Sequence, residues 1–425
     1  MKNYRELTAA EREAELALVT AAYETEKAKG YSLDMSRGKP GPDQLDLVGG
    51  MLDIPSGKLK KASDGSDVRN YGGLPGIPEI RALFADMLGV KPENIITGGQ
   101  SSLNLMYDCV IRAWVFGVYG GSRPWGQQGK LKFLCPAPGY DRHFRITQDF
   151  GFELVTIPMT QDGPDMDMVK SYVESDPSVK GIWCVPKYSN PQGYTYSAET
   201  VEKFAALKPA ADDFRIFWDN AYAVHVFRDR DDELANIFDA CEKYGSQDMV
   251  YEFASTSKIT LPGAGVAVIA ASKNNVDFLL KQLGTQTISY DKVNQLRHVL
   301  YLKDSVGIKT HMKKLAEVLR PKFDCVLDTL ETELAGGGIG SWTNPNGGYF
   351  VCYTGLPGTA KRCVQLCAEA GVKLTGAGAP FPYGVDPEDS VIRIAPSFPD
   401  VEQLRASMEI FCLCQRIAAL EVLEK

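Results

Sequence analysis

Phe253-Ala254-Ser255-Thr256-Ser257-Lys258-Ile259-Thr260-Leu261-Pro262-Gly263-Ala264-Gly265 joins the end of one apolar strand-like run, residues 249–254, to another, residues 266–271. Small hydroxyl residues lead to a single lysine, and Gly-Ala-Gly follows. A lysine between two buried strands must find an anion or lose its proton, and desolvation favours the loss. A neutral amine of that kind is a nucleophile towards aldehydes. The plain alternative is a salt-bridged lysine in a strand-to-strand loop, and this stretch taken alone favours that alternative.

Working outward, short apolar runs at 132–135, 152–157, 181–185, 215–218 and 249–254 alternate with polar or amphipathic segments. That order predicts an α/β domain on a largely parallel sheet with right-handed crossovers. The expected large domain holds a mostly parallel seven-stranded sheet flanked by helices. A smaller α+β domain is expected from the N-terminal segment and the C-terminal part. The predicted divisions are residues 1–70, packing with the small domain, 71–305, and 306–425. In the last part a long amphipathic helix is expected over 306–334, kinked or divided at Pro321. Lys281 to Leu302 reads as helical after a break around Gly284. Near the start, Thr8 caps a helix, with Glu11 completing a capping box. Cys363 and Cys367 read as small core residues.

The bounds are those of an ordinary soluble enzyme-sized chain. Its 425 residues exceed one hydrophobic core, hence two domains. The net charge of −8 without a basic block argues against nucleic acid as a partner. No apolar run is long enough to span a bilayer, and the charged N-terminus does not read as a signal peptide. The ten cysteines form no CxxC pair and the four histidines show no ligand spacing, so no metal is expected. A reducing, cytoplasmic compartment fits this composition.

Ligands of such sheets collect where parallel strands end. Those ends carry Pro138-Gly139-Tyr140-Asp141-Arg142, Asn190-Pro191-Gln192-Gly193, Asp219-Asn220-Ala221-Tyr222 and Ser255 to Lys258. Gly98-Gly99-Gln100-Ser101-Ser102 opens a helix and makes a ready anion site. Together they match what pyridoxal phosphate asks of a protein. Lys258 supplies the amine, and Asp219 keeps the ring nitrogen protonated. Asn190 and Tyr222 donate to the ring phenolate. Gln100, Ser101, Ser102, Ser255 and Ser257 serve the phosphate, and Tyr140 covers the ring. Arg393, between apolar residues of a short strand, is either a core-edge salt bridge or a bidentate clamp for a carboxylate.

With these residues placed, the chain resembles the fold-type I pyridoxal-phosphate enzymes. Within them it is similar to class I aminotransferases, most of all the divergent "c" subgroup of aspartate aminotransferases. The resemblance runs from Ser36-Arg37-Gly38-Lys39-Pro40 to Arg393. It implies transamination between an amino acid, aspartate foremost, and a 2-oxo acid, 2-oxoglutarate foremost. It also implies a homodimer in which Tyr71 reaches the neighbouring subunit's phosphate, and a Gly38 that contacts the substrate carboxylate beside Arg393. The chain departs from the family at Val266, where an arginine normally pairs with the phosphate, and at Ala137, where the stacking aromatic normally stands. The cation for a side-chain carboxylate is open among Arg37, Lys39, Arg142, Lys292 and Arg297. Because the segment around Tyr140 also resembles aminocyclopropane-carboxylate synthases, β- or γ-elimination by a lyase is the alternative reaction.

Overall fold

The computed structural model describes residues 2–424. In chain order the strands are β1 (Leu33–Asp34), β2 (Ile95–Thr97), β3 (Lys132–Ala137), β4 (Glu153–Thr160), β5 (Gly163–Pro164), β6 (Val179–Cys184) and β7 (Arg215–Asp219), then β8 (Val250–Ser255), β9 (Ala267–Ala271), β10 (Gly340–Trp342), β11 (Val351–Gly355), β12 (Val372–Lys373) and β13 (Val391–Ile394). The large sheet has the order β2-β9-β8-β7-β6-β3-β4-β5. Its central strands, β8, β7, β6, β3 and β4, are mutually parallel. The sheet has eight strands rather than the expected seven. The extra one, β5, is a two-residue partner folded back antiparallel on β4, too short to leave an apolar run in the sequence. β9 also runs antiparallel, between β8 and β2.

β3, β6, β7 and β8 are buried on both faces, as the unbroken apolar runs require, while β4 leaves Thr156, Pro158 and Thr160 exposed. Successive side chains alternate between the faces. Phe217 and Phe253 pack with Phe133 under the helices Ser102–Phe116 and Lys273–Gln286. Ile216, Trp218 and Val250 pack on the opposite face against Met166–Ser175 and Ala198–Ala205. Burying side chains of this size contributes about 1.5–3 kcal/mol each.

A second antiparallel group, β10-β11-β13, packs with the helices Ser305–Leu334 and Val401–Leu423. The first of these is a single 30-residue helix with Pro321 inside it, so the proline does not divide it. The expected break at Gly284 is absent too. Lys273–Gln286 passes through Gly284, and the next helix, Lys292–Leu302, starts where Asp291 accepts the Asn294 N–H.

The N-terminal segment is tied to the C-terminal part by hydrogen bonds. β1 pairs in parallel with β12, and Thr375 Oγ1 donates to the Ser36 carbonyl at 2.7 Å. Gln44 bridges the Ser397 carbonyl at 2.6 Å and the Tyr349 hydroxyl at 2.9 Å. The loop around Gly38 is thereby laid across β11 and β13.

Candidate active site

β3, β6, β7 and β8 finish at one edge of the sheet, which brings Tyr140, Asn190, Asp219 and Lys258 to the same cleft. Asp219 is the last residue of β7 and is buried. Its Oδ2 lies 2.9 Å from His143 Nε2, while Oδ1 is buried without a partner. His143 is itself buried and stacked on Trp183, the centroids 4.6 Å apart and the planes within 13°. Tyr140 meets the edge of the same imidazole at 4.9 Å, and burial pushes its phenol up to about 12. A buried carboxylate oxygen left open costs free energy unless a donor arrives. Asp219 Oδ1 is therefore suited to accept from a proton-bearing group.

Lys258 Nζ lies 4.7 Å from the Tyr222 ring centroid and 5.9 Å from that of Tyr349. Desolvation pushes its ammonium below the usual lysine range, and the negative charge of Asp219 opposes that fall. Tyr222 is buried, which pushes its phenol up. Beneath the lysine, His225 Nε2 is 3.3 Å from the Lys258 carbonyl. Burial and the Lys258 charge hold that imidazole at about 3, so it is neutral and its Nε2–H donates.

The anion end is built from two segments. Ser255 Oγ and Ser257 Oγ are 3.1 Å apart, and Ser257 Oγ reaches the Gln100 carbonyl at 3.4 Å. Ser101 caps the helix Ser102–Phe116, its Oγ accepting the Leu103 N–H. Backbone bonds between Gly98, Gly99 and Ala267 lock this helix start to β9. Val266 is buried and exchanges two bonds of 2.9 Å with Thr256, so it faces the core.

Arg393, on β13, closes the other side. Nη1 donates to Asp141 Oδ1 at 3.1 Å and to Asn190 Oδ1 at 3.2 Å, and Nη2 donates to Thr375 Oγ1 at 3.3 Å. Its Nε is buried without a partner, and the guanidinium lies 5.0 Å from the Phe350 ring. Gly38 packs at the tip of that ring, where a methyl group would collide with Phe350. Of the two roles expected of Arg393, the core-edge pair is the one seen, with Asp141.

Tyr71 is 79% exposed and stands outside this cleft; its backbone is engaged, the N–H donating to Asn70 Oδ1 at 2.8 Å and the carbonyl accepting from Lys292 Nζ at 3.4 Å. Of the five candidate cations, Lys292 is buried on the carbonyls of Asp67 and Tyr71, and Lys39 lies 3.9 Å over Phe398. Arg37 and Arg142 are exposed and Arg297 is half-buried. A cavity of about 1500 Å³ lies elsewhere, against Ser305–Leu334, and its Arg228 and Arg320 are paired with Asp324 and Asp229.

A family model described as aspartate amino-transferase matches residues 7–425. The aspartate aminotransferase of Corynebacterium glutamicum is 45% identical over 395 residues, which is 93% of this chain and 91% of that one. The chain belongs to this family. A crystal structure of an aspartate transaminase from C. glutamicum superposes with a TM-score of 0.97 at 43% identity, covering 99% of both chains. The α-aminoadipate aminotransferase LysN of Thermus thermophilus, solved with N-(5'-phosphopyridoxyl)-L-leucine, shares the fold at 20% identity, TM-score 0.70, covering 94% of this chain and 95% of that one. This chain is accordingly an aminotransferase, and among its described residues no helix is long and apolar enough to cross a membrane.

In this aminotransferase the unpartnered Asp219 Oδ1, the desolvated Lys258 and the hydroxyl cluster at Ser255 and Ser257 fit a pyridoxal group. Sequence reasoning missed His143, Asp141, Thr375 and Phe350. His143 alone left a signal: it stands three residues after Tyr140, on the same face of a helix that opens at a strand end.

Proposed function

We propose that this aminotransferase exchanges amino groups between aspartate and 2-oxoglutarate, using pyridoxal 5'-phosphate, as a cytoplasmic homodimer. The observation that carries it is the pairing of a desolvated Lys258 amine with the open Oδ1 of Asp219 at one strand edge. The 45% identity to an aspartate aminotransferase supports the substrate pair.

When bound, the cofactor supplies an aldehyde that captures amines and a ring that takes up electrons from the substrate Cα. Asp219 Oδ1 holds the proton of the ring nitrogen, and His143 fixes the carboxylate through Oδ2. Asn190 and Tyr222 hold the phenolate side. Ser255, Ser257 and the Gln100–Ser102 helix start hold the phosphate, and Tyr71 reaches the phosphate of the partner subunit. Arg393 grips the substrate α-carboxylate beside Gly38, giving up Asp141 as it does so. Lys258 Nζ would take the substrate Cα proton. We assign this work to a large domain, residues 71–305, with residues 1–70 and 306–425 forming the smaller one. The β1–β12 pairing supports that division.

The test is a half-reaction screen. Single amino acids are added to the cofactor-loaded protein with no acceptor, and the visible absorbance is followed. Aspartate and glutamate are expected to change it, and 2-oxoglutarate to restore it. Release of pyruvate or a thiol without any acceptor would instead establish the elimination reaction.

A further inference from the structure

One helix carries four buried polar side chains that the reaction above does not use, and all four are bonded to loops around the site. On Lys292–Leu302, Lys292 Nζ donates to the Asp67 and Tyr71 carbonyls at 3.5 and 3.4 Å. Asn294 Nδ2 donates to the carbonyls of Ala264 at 2.8 Å and Gly265 at 3.1 Å. Gln295 Oε1 accepts the Ile77 N–H at 2.9 Å. His298 Nδ1 lies 2.9 Å from the Asn294 carbonyl, and its Nε2 lies 3.1 Å from Thr256 Oγ1 and 2.9 Å from Thr260 Oγ1. Pairs spaced three and four residues apart place these groups on one broad face.

His298 is fully buried. Its Nδ1 faces a carbonyl, so that nitrogen carries the proton and Nε2 is left as an acceptor. Burial holds the ring at about 4, well below neutrality, so the acceptor persists at physiological pH. Both threonine oxygens lie against it, two residues either side of Lys258, and Thr260 Oγ1 also lies 3.3 Å from the Thr256 carbonyl. Thr256 Oγ1 also accepts the Val266 N–H at 2.9 Å, which carries the connection to the start of β9. The chain has no arginine at Val266 to fasten this loop to the cofactor phosphate. The helix behind the loop is bonded to it through Asn294 and His298.

We propose that His298 is a positioning residue for Lys258: its Nε2 gathers Thr256 and Thr260, and with Asn294 it fixes loop 256–266 so that the amine faces the cofactor. The proposal rests on the cofactor reading above.

The experiment compares His298→Leu, His298→Gln and Thr260→Val with the unaltered holoenzyme. It reads the dissociation constant of pyridoxal phosphate and amide hydrogen exchange across 256–266. His298→Leu and Thr260→Val are expected to weaken cofactor binding about tenfold, the worth of one buried hydrogen bond, and to speed exchange in the loop. His298→Gln returns an acceptor oxygen and is expected to recover most of both. Variants that melt earlier yet keep wild-type cofactor affinity and loop protection would reduce His298 to a core residue. Should His298→Leu fail to fold, Thr260→Val decides alone, since it leaves the helix untouched. An unaltered protein that binds no pyridoxal phosphate would defeat the functional reading, while loop exchange would still judge His298.

Discussion

Lys258 and Glu252 lie six residues apart, and burial moves their ionisation in opposite directions. For the lysine, desolvation favours the neutral amine that can act on an aldehyde and take up a proton. Replacing Lys258 with alanine removes both roles, and turnover is expected to fall at least about a thousandfold, within the range of a lost acid–base group. Steady-state rates at saturating substrate check this. Glu252 is buried on β8 with Oε1 accepting from Asn220 Nδ2 at 2.9 Å. Burial lifts its carboxyl to about 7. The other charged group lining its small cavity is Lys187, which is paired with Asp231 at 2.9 Å. The sign follows from proton counting. Between the unfolded value near 4.5 and the folded value of about 7, the native chain holds more protons. Stability therefore falls as pH rises through that window, by up to about 3 kcal/mol. Glu252→Gln keeps the bond from Asn220 without the ionisation. It is expected to match the unaltered protein near pH 5 and to exceed it near pH 8, as read from unfolding midpoints at the two values.

Among the elements, the strands were legible because each is an apolar run with no other way to be buried, and β3, β4, β6, β7, β8 and β9 all fall where such runs stand. Helix boundaries were less so. Gly284 suggests a break because glycine costs about 1 kcal/mol in a helix interior. The flanking helix nevertheless buries Leu279 and Leu283 against the core, which outweighs that cost. The real boundary is marked by Asp291, a cap whose meaning depends on the helix after it. The first helix, Ala9–Lys27, carries its signal openly. Thr8 and Glu11 form a reciprocal capping box, and Val19 and Tyr23 are buried, Tyr23 donating to the Leu366 carbonyl at 2.9 Å. Thr8→Ala removes one half of the box and is expected to cost about 1 kcal/mol. The loss should be local, showing as faster amide exchange in the first turn of that helix with activity unchanged.

For the whole molecule, what the chain hides is what lies far apart along it. Arg393 meets Asp141 and Asn190 across 252 and 203 residues of sequence, and no local pattern announces that fork. Lys258, Asp219 and Asn190 were legible because each ends or follows its own strand, and the topology of a parallel sheet gathers strand ends. Tyr71 belongs to a larger scale still. Its ring is 79% exposed in the single chain, on a loop whose carbonyl is held by Lys292, so the backbone is fixed while the side chain has nothing to bind. A second copy related by a two-fold axis would bring it to the neighbour's phosphate end, and each site would then draw Lys258 from one subunit and Tyr71 from the other. That arrangement makes a prediction that no single-chain account shares. Tyr71→Ala and Lys258→Ala proteins are each expected to be deficient alone, the first through weakened cofactor binding. Mixed, dissociated and reassociated, half of the dimers are hybrids, and each hybrid has one site with both defects and one with neither. Activity at limiting cofactor should therefore return to about a quarter of the unaltered value. A mixture no more active than the mean of its parents would confine Tyr71 to its own subunit.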